Sequence, residues 1–348
     1  MSLLIATNYS YKIRQQGKQL VVEERIENKT VTRGKYPLVQ LSGVLLHTKT
    51  RITNEAIHLC MSNSIPIVYM DGIEAYAVTH PFHAHGTVLV RRQQYLAIED
   101  KRGVEIAIGI QKGAVKNKLN LLARYESYLD SEKEEQKVEL TEIIEKIQKQ
   151  LNKFDELYKY SDIEELRLHL LGLEGIVTKD YFEGLQKLIP EEWEFTKRVK
   201  RPPTDPINAL IGYLSTILTG QILLRIFVTG LDPYLGFIHA DRSGRPSLAL
   251  DIIEQFRQPM IDRVILRMIR RKELSREQHF ETSSYGIQLT KEGKGKVINA
   301  FLENQEKYET FRNKNQPKKA IMVDQIQQII HVLLRKKDHY QAYVEPKR

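Results

Sequence analysis

The stretch YLGFIHADRSGRPSLALDIIEQFRQPMIDR, Tyr234 to Arg263, places a loop histidine, His239, shortly before a helix-like run that carries Asp251 and Glu254. Three residues apart on a helix, the two acids share a face, and the intervening Gly/Pro turn can fold His239 back towards them. A third acid, Glu174, sits in the apolar run LHLLGLEGIV between Gly172 and Gly175. Two glycines inside a helix cost about 1 kcal/mol each against alanine, so they predict close approach of a second helix or of a ligand backbone. A buried glutamate there needs a cationic partner. Together, Glu174, His239 and Glu254 offer two carboxylates and an imidazole, with Asp251 as an accessory acid. Such a set suits Mg²⁺ or Mn²⁺ with positions open to water and phosphate oxygens. That metal would serve phosphodiester chemistry, and Arg245, in the turn between, can hold a phosphate beside it. Taken singly, each residue has a plainer reading: a capping carboxylate, a solvated glutamate, a satisfied loop histidine.

The elements that must hold these groups change character near residue 90. Before it, short β-branched runs punctuated by Gly, Asn and Pro predict a compact β-rich domain over 1–90. One short helix, opened by Thr53-Asn54-Glu55-Ala56, is expected to cross it. From 91 to 348 the period is helical, with amphipathic segments at 91–101, 103–127 and 130–159. Ser161 with Glu164 makes a capping-box pattern that opens the helix holding Glu174. Asp205-Pro206 opens a long apolar helix, which Gly230 and Pro233 end. Pro259 predicts a kink, residues 278–290 a small hairpin, and 291–313 and 319–337 two more helices split by a linker at Asn313 to Lys318. The expected fold class is α+β: a small β-rich N-terminal domain, then a larger all-α domain that carries the site.

At 348 residues and 41% hydrophobic, the chain can bury two or three cores unaided. Its single cysteine, Cys60, excludes an intramolecular disulfide and a thiolate-rich zinc site, and a reducing, cytoplasmic setting fits. The opening MSLLIATNYSYKIRQ lacks the apolar core of an export signal and is expected to begin a strand. Ile207 to Leu224 runs without a charge, yet Asn208, Ser215, Thr216, Thr219 and Gln221 interrupt it, so a buried helix is expected and no membrane span. Net charge is +9, from 53 Lys plus Arg against 44 Asp plus Glu, which favours a polyanionic partner. The basic groups are Arg91 and Arg92, then Lys112, Lys116 and Lys118, then Lys197 to Arg201, then Arg263, Arg267, Arg270 and Arg271. The last set lies roughly one turn apart and forms either a stripe for several phosphates or a solvated helix face. THPFHAHG, with His80, His83 and His85, has neither helix-pair spacing nor a nearby acid or thiol, so a loop or strand end is expected there. Tyr213 and Tyr234, in apolar runs, are expected in the core.

The order of these features resembles a known family. Glu174-Gly175 in a helix, DPINAL at the start of the apolar helix, the LGFIH loop, the GRPSLALD turn and helix and the Arg-rich continuation resemble the CRISPR-associated integrases. This is the "Cas-one" endonuclease family of the adaptation stage, and the resemblance covers nearly the whole chain. It implies a dimerising β-rich N-terminal domain and a helical catalytic domain with a metal site and a DNA-binding surface. It implies Glu174, His239 and Glu254 as catalytic residues and metal ligands, Glu254 standing where the family commonly has aspartate. Asp251 matches the accessory acid, Arg245 and Asn208 match phosphate- or DNA-binding positions, and Arg263 and Arg267 lie on the Arg-rich track for DNA. The loop ADRSGRPSLAL is longer than in some relatives, which bears on Arg245. The implied reaction is a Mg²⁺- or Mn²⁺-dependent transesterification. In it, the 3′-hydroxyl of protospacer DNA attacks a phosphodiester at the CRISPR repeat boundary, and hydrolysis is the same chemistry with water. The implied partners are a second copy of the chain and a small "Cas-two" protein. On the residues alone, a DNA-binding scaffold without chemistry and a generic metal-dependent nuclease stay open.

Overall fold

The computed structural model describes residues 2–6, 10–27, 29–71, 74–81, 88–129 and 133–346. The chain forms two compact units, Met1–Val88 with Thr216–Asp232, and Leu89–Ser215 with Pro233–Arg348.

The first unit is built on two four-stranded sheets. Strands β1 (Ser2–Ala6), β5 (Leu41–His47) and β7 (Ile67–Asp71) are parallel neighbours, and β8 (Glu74–Thr79) adds antiparallel to β7. LLIA, VLLH and IVYM are near-continuous apolar runs, as strands covered on both faces require. The second sheet joins β2 (Tyr11–Gln16), β3 (Gln19–Ile26) and β4 (Lys29–Pro37) as an antiparallel meander, with the short β6 (Arg51–Ile52) parallel to β2. Ile13, Leu20, Val22, Leu41, Val44 and Leu46 share a core with Ala56 and Cys60 of α1 (Asn54–Ser62). Thr53 caps α1, its hydroxyl accepting from the Ala56 N–H, where the sequence places the helix start. His80 stacks on Phe227 with ring centroids 5.9 Å apart, while His83 and His85 lie outside the described residues.

A boundary at residue 90 puts the whole apolar helix in the helical domain, and the packing corrects this. Helix α6 (Pro206–Thr229) ends within the β-rich unit. A Cβ on Gly220 would lie 2.5 Å from Leu45, and one on Gly43 would lie 2.8 Å from Leu224, so helix and strand meet through two missing side chains. Although long and apolar enough to cross a membrane, α6 is mostly buried within the protein, like a core helix.

The second unit holds α2 (Val88–Leu96), whose first residue belongs to the other unit, and α3 (Lys101–Glu126), α4 (Glu134–Lys153) and α5 (Ile163–Leu188), which pack on one another. Helix α5 starts one residue later than Ser161 suggests. Asp162 is its cap, accepting from the Glu165 N–H at 3.0 Å, while Glu165 reaches back to the Ser161 hydroxyl. Helices α7 (Ser247–Glu254) and α8 (Arg263–Arg270) are joined through a π-helical turn at Gln258–Asp262. Pro259, lacking an N–H, explains why the ladder widens there. After α9 (Arg276–His279) comes the expected hairpin, β9 (Phe280–Ser283) with β10 (Gly286–Leu289), then α10 (Lys291–Gln305). A second hairpin, β11 (Tyr308–Phe311) with β12 (Lys314–Pro317), replaces the expected end of a helix and linker, and α11 (Lys318–Leu333) follows. Its turn residues Arg312 and Asn313 both have positive φ, 52° and 60°, as a two-residue hairpin loop demands.

The segment after α11 is irregular but firmly held. Asn117 of α3 donates to the carbonyls of Gln255 and Tyr343 and accepts from the Glu345 N–H, all within 2.9 Å. The Tyr343 N–H donates in turn to the side chains of Gln255 and Gln325. Glu345 ends in a buried ionic cluster with Lys318 and Arg263, whose charges outweigh burial and hold its carboxyl below the ordinary range.

Candidate active site

Asp251, on α7, is fully buried and accepts four N–H bonds. The backbone N–H groups of Phe237 and Ile238 reach its Oδ2 at 2.6 and 3.0 Å, and that of His239 reaches Oδ1 at 3.0 Å. The fourth donor is the His239 ring, whose Nδ1 lies 2.7 Å from Oδ1. A carboxylate acceptor requires the proton on Nδ1, which leaves the Nε2 lone pair for a ligand. The loop can wrap the acid this closely because residue 236 is glycine: a Cβ would sit 2.8 Å from Asp251 Oδ2 and from Ser247 Cβ. Leu248 N–H to the Pro233 carbonyl and the Gln94 side chain to the Leu235 carbonyl fasten the loop's start.

Glu254, one turn on, is 7% exposed and pairs with Arg257 Nη2 at 3.0 Å. Burial opposes its charge, but Arg257, Lys118, His239 and Lys200 outweigh burial and hold its carboxyl below the ordinary range. Glu174, half-buried on α5, accepts from the Thr178 hydroxyl at 2.6 Å, and Thr178 accepts from Lys118 Nζ at 3.2 Å. Burial lowers the Lys118 ammonium's affinity for its proton, opposed by Glu254 and then Glu174. Both acids also raise that of Arg257 against its own burial. The two acids thus share two cations, buried Lys118 and partly buried Arg257. Among the described residues, no three His, Cys, Asp or Glu side chains converge tightly enough to hold an ion. Glu174 is turned to Thr178 and Glu254 to Arg257, each through Oε1. The donor chemistry still fits Mg²⁺ or Mn²⁺: two carboxylates with Oε2 outside these contacts and an imidazole oriented by a carboxylate.

Other expected residues fare differently. Gly172 and Gly175 meet nothing within 4 Å where a Cβ would go, so no neighbouring helix explains them and the space beside Glu174 is open. Asn208 is wholly buried, which corrects its expected DNA contact. Its Oδ1 accepts from the Val199 N–H and Arg198, and its Nδ2 donates to the Lys197 carbonyl, so it pins the basic loop from Lys197 to Arg201. Arg263 is tied to Glu345 and Glu309, and Arg267 lies 3.8 Å from Glu273, so these two serve internal pairs in place of an open stripe. Arg270 stacks over Tyr125 and Tyr128 while still exposed, and Arg271 is exposed at 70%. Arg245 is half-buried in the turn, its N–H on the Arg242 carbonyl.

Lys118 is not a surface base as its neighbours Lys112 and Lys116 suggest, because its side chain is buried. The helical period signals this: two residues on from Lys116 is about 200° round the helix, among Ala114, Leu121 and Leu122. Sequence reasoning also passed over Arg257, three residues beyond Glu254, and Asp262. Burial raises the Asp262 carboxyl to about 6, and the Tyr181 hydroxyl donates to it at 2.6 Å.

The family model described as "CRISPR associated protein Cas1" matches residues 4–303. The chain belongs to the Cas1 family. A CRISPR-associated endonuclease Cas1 of Archaeoglobus fulgidus is 32% identical over 317 residues, 88% of this chain and 89% of the relative. One from Rhodospirillum rubrum is 30% identical, covering 91% of this chain and 90% of the relative. Among solved structures, a casposase bound to integration product matches with TM-score 0.82 at 20% identity, covering all of this chain and 95% of that one. A Cas1 protein from Thermotoga maritima matches at 0.75 and 19%, covering 99% of this chain and 100% of that one. Both share the Cas1 fold seen here, a β-rich N-terminal region followed by a helical part.

Proposed function

We propose that this Cas1-family chain is a metal-dependent DNA integrase and endonuclease that inserts protospacer DNA into a CRISPR array. The observation that carries this reading is the His239 ring, fixed by buried Asp251 with Nε2 left free, one helical turn from Glu254. The family and its endonuclease relatives support it. In the joining step the 3′-oxygen of the incoming strand bonds to phosphorus at the repeat boundary. The bond from that phosphorus to the repeat strand's own oxygen breaks, and a proton leaves the attacking hydroxyl for the departing oxygen's side. One phosphodiester replaces another, so no nucleotide hydrolysis is needed, and water in place of the hydroxyl gives cleavage.

Glu174, His239 and Glu254 would hold the Mg²⁺ or Mn²⁺. When bound, the metal supplies Lewis-acid polarisation of the phosphate and lowers the cost of deprotonating the attacking oxygen. Asp251 keeps the His239 proton on Nδ1. Arg257 and Lys118 balance the buried acids, and Lys200, which acts on Glu254 electrostatically, brings the basic loop to the site. The open space beside Gly172 and Gly175 leaves room for a strand backbone, and Arg245 would meet a phosphate.

The solved relatives include complexes named for Cas1 with Cas2 and a casposase bound to integration product. By this likeness, the partners here are protospacer and repeat DNA, a second copy of the chain through the β-rich unit, and a Cas2-type protein, in the cytoplasm. The test replaces Glu174, His239 or Glu254 by alanine and assays joining of a 3′-OH duplex into a supercoiled repeat plasmid with Mn²⁺. Joining should be lost while DNA binding persists. Undiminished joining in all three variants overturns the site. Cleavage without any joined product in the unaltered protein instead indicates a nuclease outside integration.

A further inference from the structure

Each candidate ligand has its own orienting neighbour: Asp251 for His239, Arg257 for Glu254 and Thr178 for Glu174. The third was not foreseeable from side-chain type. A threonine inside a helix commonly returns its hydroxyl to the carbonyl four residues back. Here the Thr178 hydroxyl reaches the side chain of that residue, donating to Glu174 Oε1 at 2.6 Å. The same oxygen accepts from Lys118 Nζ at 3.2 Å, so one hydroxyl links an ammonium on α3 to a carboxylate on α5. Threonine is stiff at χ1, which makes it a poor tether for a wandering carboxylate but a good fixed one.

Lys118 has no account as a solvated base. Its side chain is buried, and burying an ammonium costs several kcal/mol unless opposite charges offset it. The groups that face it electrostatically are Glu254, Glu174 and Asp262, with Arg257 opposing. A lysine anchored there supplies charge to the hydroxyl, and the hydroxyl supplies direction to the carboxylate. Oε1 of Glu174 is thereby held and Oε2 remains outside the contact.

We propose that Lys118 and Thr178 form a positioning relay that anchors Glu174 through Oε1 and leaves Oε2 for the ion, with Thr178 setting the affinity of the site for Mn²⁺ through Glu174. This rests on the metal reading above. Neither residue touches the reacting atoms, so their effect appears first in metal binding and only through it in joining. Outer contacts of this kind typically change metal affinity by 10–100-fold.

The experiment is a Mn²⁺ titration of the full chain followed by electron paramagnetic resonance of the free ion, with thermal melting alongside. The variants are Thr178→Val, Thr178→Ser, Glu174→Ala and the Glu174→Ala/Thr178→Val double, with Thr178→Ala in reserve should valine disturb folding. Thr178→Val should weaken Mn²⁺ binding about tenfold. Thr178→Ser, which keeps the hydroxyl, should stay within about twofold, and Thr178→Val should change nothing further once Glu174 is alanine. Weakened binding in Glu174→Ala with wild-type binding in both hydroxyl-free variants overturns the relay alone, as does a Thr178→Val effect that persists in the double variant. Wild-type binding in Glu174→Ala overturns the metal reading itself, and the relay with it.

Discussion

His239 and Asp251 form one unit, with the ring Nδ1 2.7 Å from an aspartate oxygen that also accepts the histidine's own backbone N–H. Their substitutions should therefore part company. Asp251→Ala strands three buried backbone N–H groups at about 1–3 kcal/mol each, so it should lose several kcal/mol in urea unfolding as well as joining activity. His239→Ala removes a partly exposed ring and should cost activity with little stability. Equal melting of the two variants contradicts this arrangement.

Asn208 is buried and pins the basic loop, so on the proposed function its effect on DNA is expected to pass through that loop. Asn208→Ala breaks contacts to Lys197, Arg198 and Val199, and a loss of about 2–4 kcal/mol is expected. Its amide carries no charge, so the salt slope of DNA binding measured well below the melting temperature should stay at the wild-type value, and a slope lowered by about 1 would mean that a Lys or Arg of the loop had lost its phosphate.

Asp262 gives the helical unit a pH dependence with a definite sign. Its carboxyl is raised to about 6 in the folded protein, above the ordinary 3.8. Between those values the folded state keeps a proton that the unfolded state has lost, so stability is greatest at the acid end and falls as pH rises to about 6. The decline is of order 1–3 kcal/mol. Asp262→Asn keeps an acceptor for Tyr181 and should flatten that part of a melting-temperature profile taken from pH 4 to 7. An unchanged slope in the variant would remove Asp262 as its source.

Arg263 and Arg271, two members of one basic run, should answer to different assays. Arg263→Ala leaves the buried acids Glu345 and Glu309 with Lys318 as their remaining close ion-pair partner among the described residues and should destabilise by about 3 kcal/mol or more. Arg271→Ala should leave stability within about 0.5 kcal/mol, since its side chain is 70% exposed, and should reduce DNA affinity most at low salt.

His239 and Asp251 were legible as a pair because their spacing is local: a loop and a Gly/Pro turn bring them together whatever the rest of the chain does, and one helical turn puts Glu254 beside Asp251, whereas Glu174 comes from another helix. The caps at Thr53 and Asp205 were legible for the same reason. What escaped depends on contacts between distant segments. Nothing near Asn208 says that its amide is spent on residues 197–199, and nothing near Arg263 announces Glu345. The second hairpin was missed because Arg312-Asn313 lacks the glycine that usually marks such a turn, and its flanks continue a polar helical pattern. The two glycines beside Glu174 predict close approach of a second helix or of a ligand backbone, and since no described residue lies within 4 Å of where their Cβ atoms would go, the helix is not what they meet.

The bond from Asn117 to the Tyr343 carbonyl, and the one from the Tyr343 N–H to the Gln255 side chain, carry a consequence for birth as well as for architecture. The neighbour of Glu254 is locked only when a segment made almost ninety residues later has arrived, and α3 waits more than two hundred residues for it. Synthesis proceeds at about 5–20 residues per second. A nascent chain therefore passes through an interval in which its acids and histidine have already emerged from the ribosome while the lock that steadies them has not.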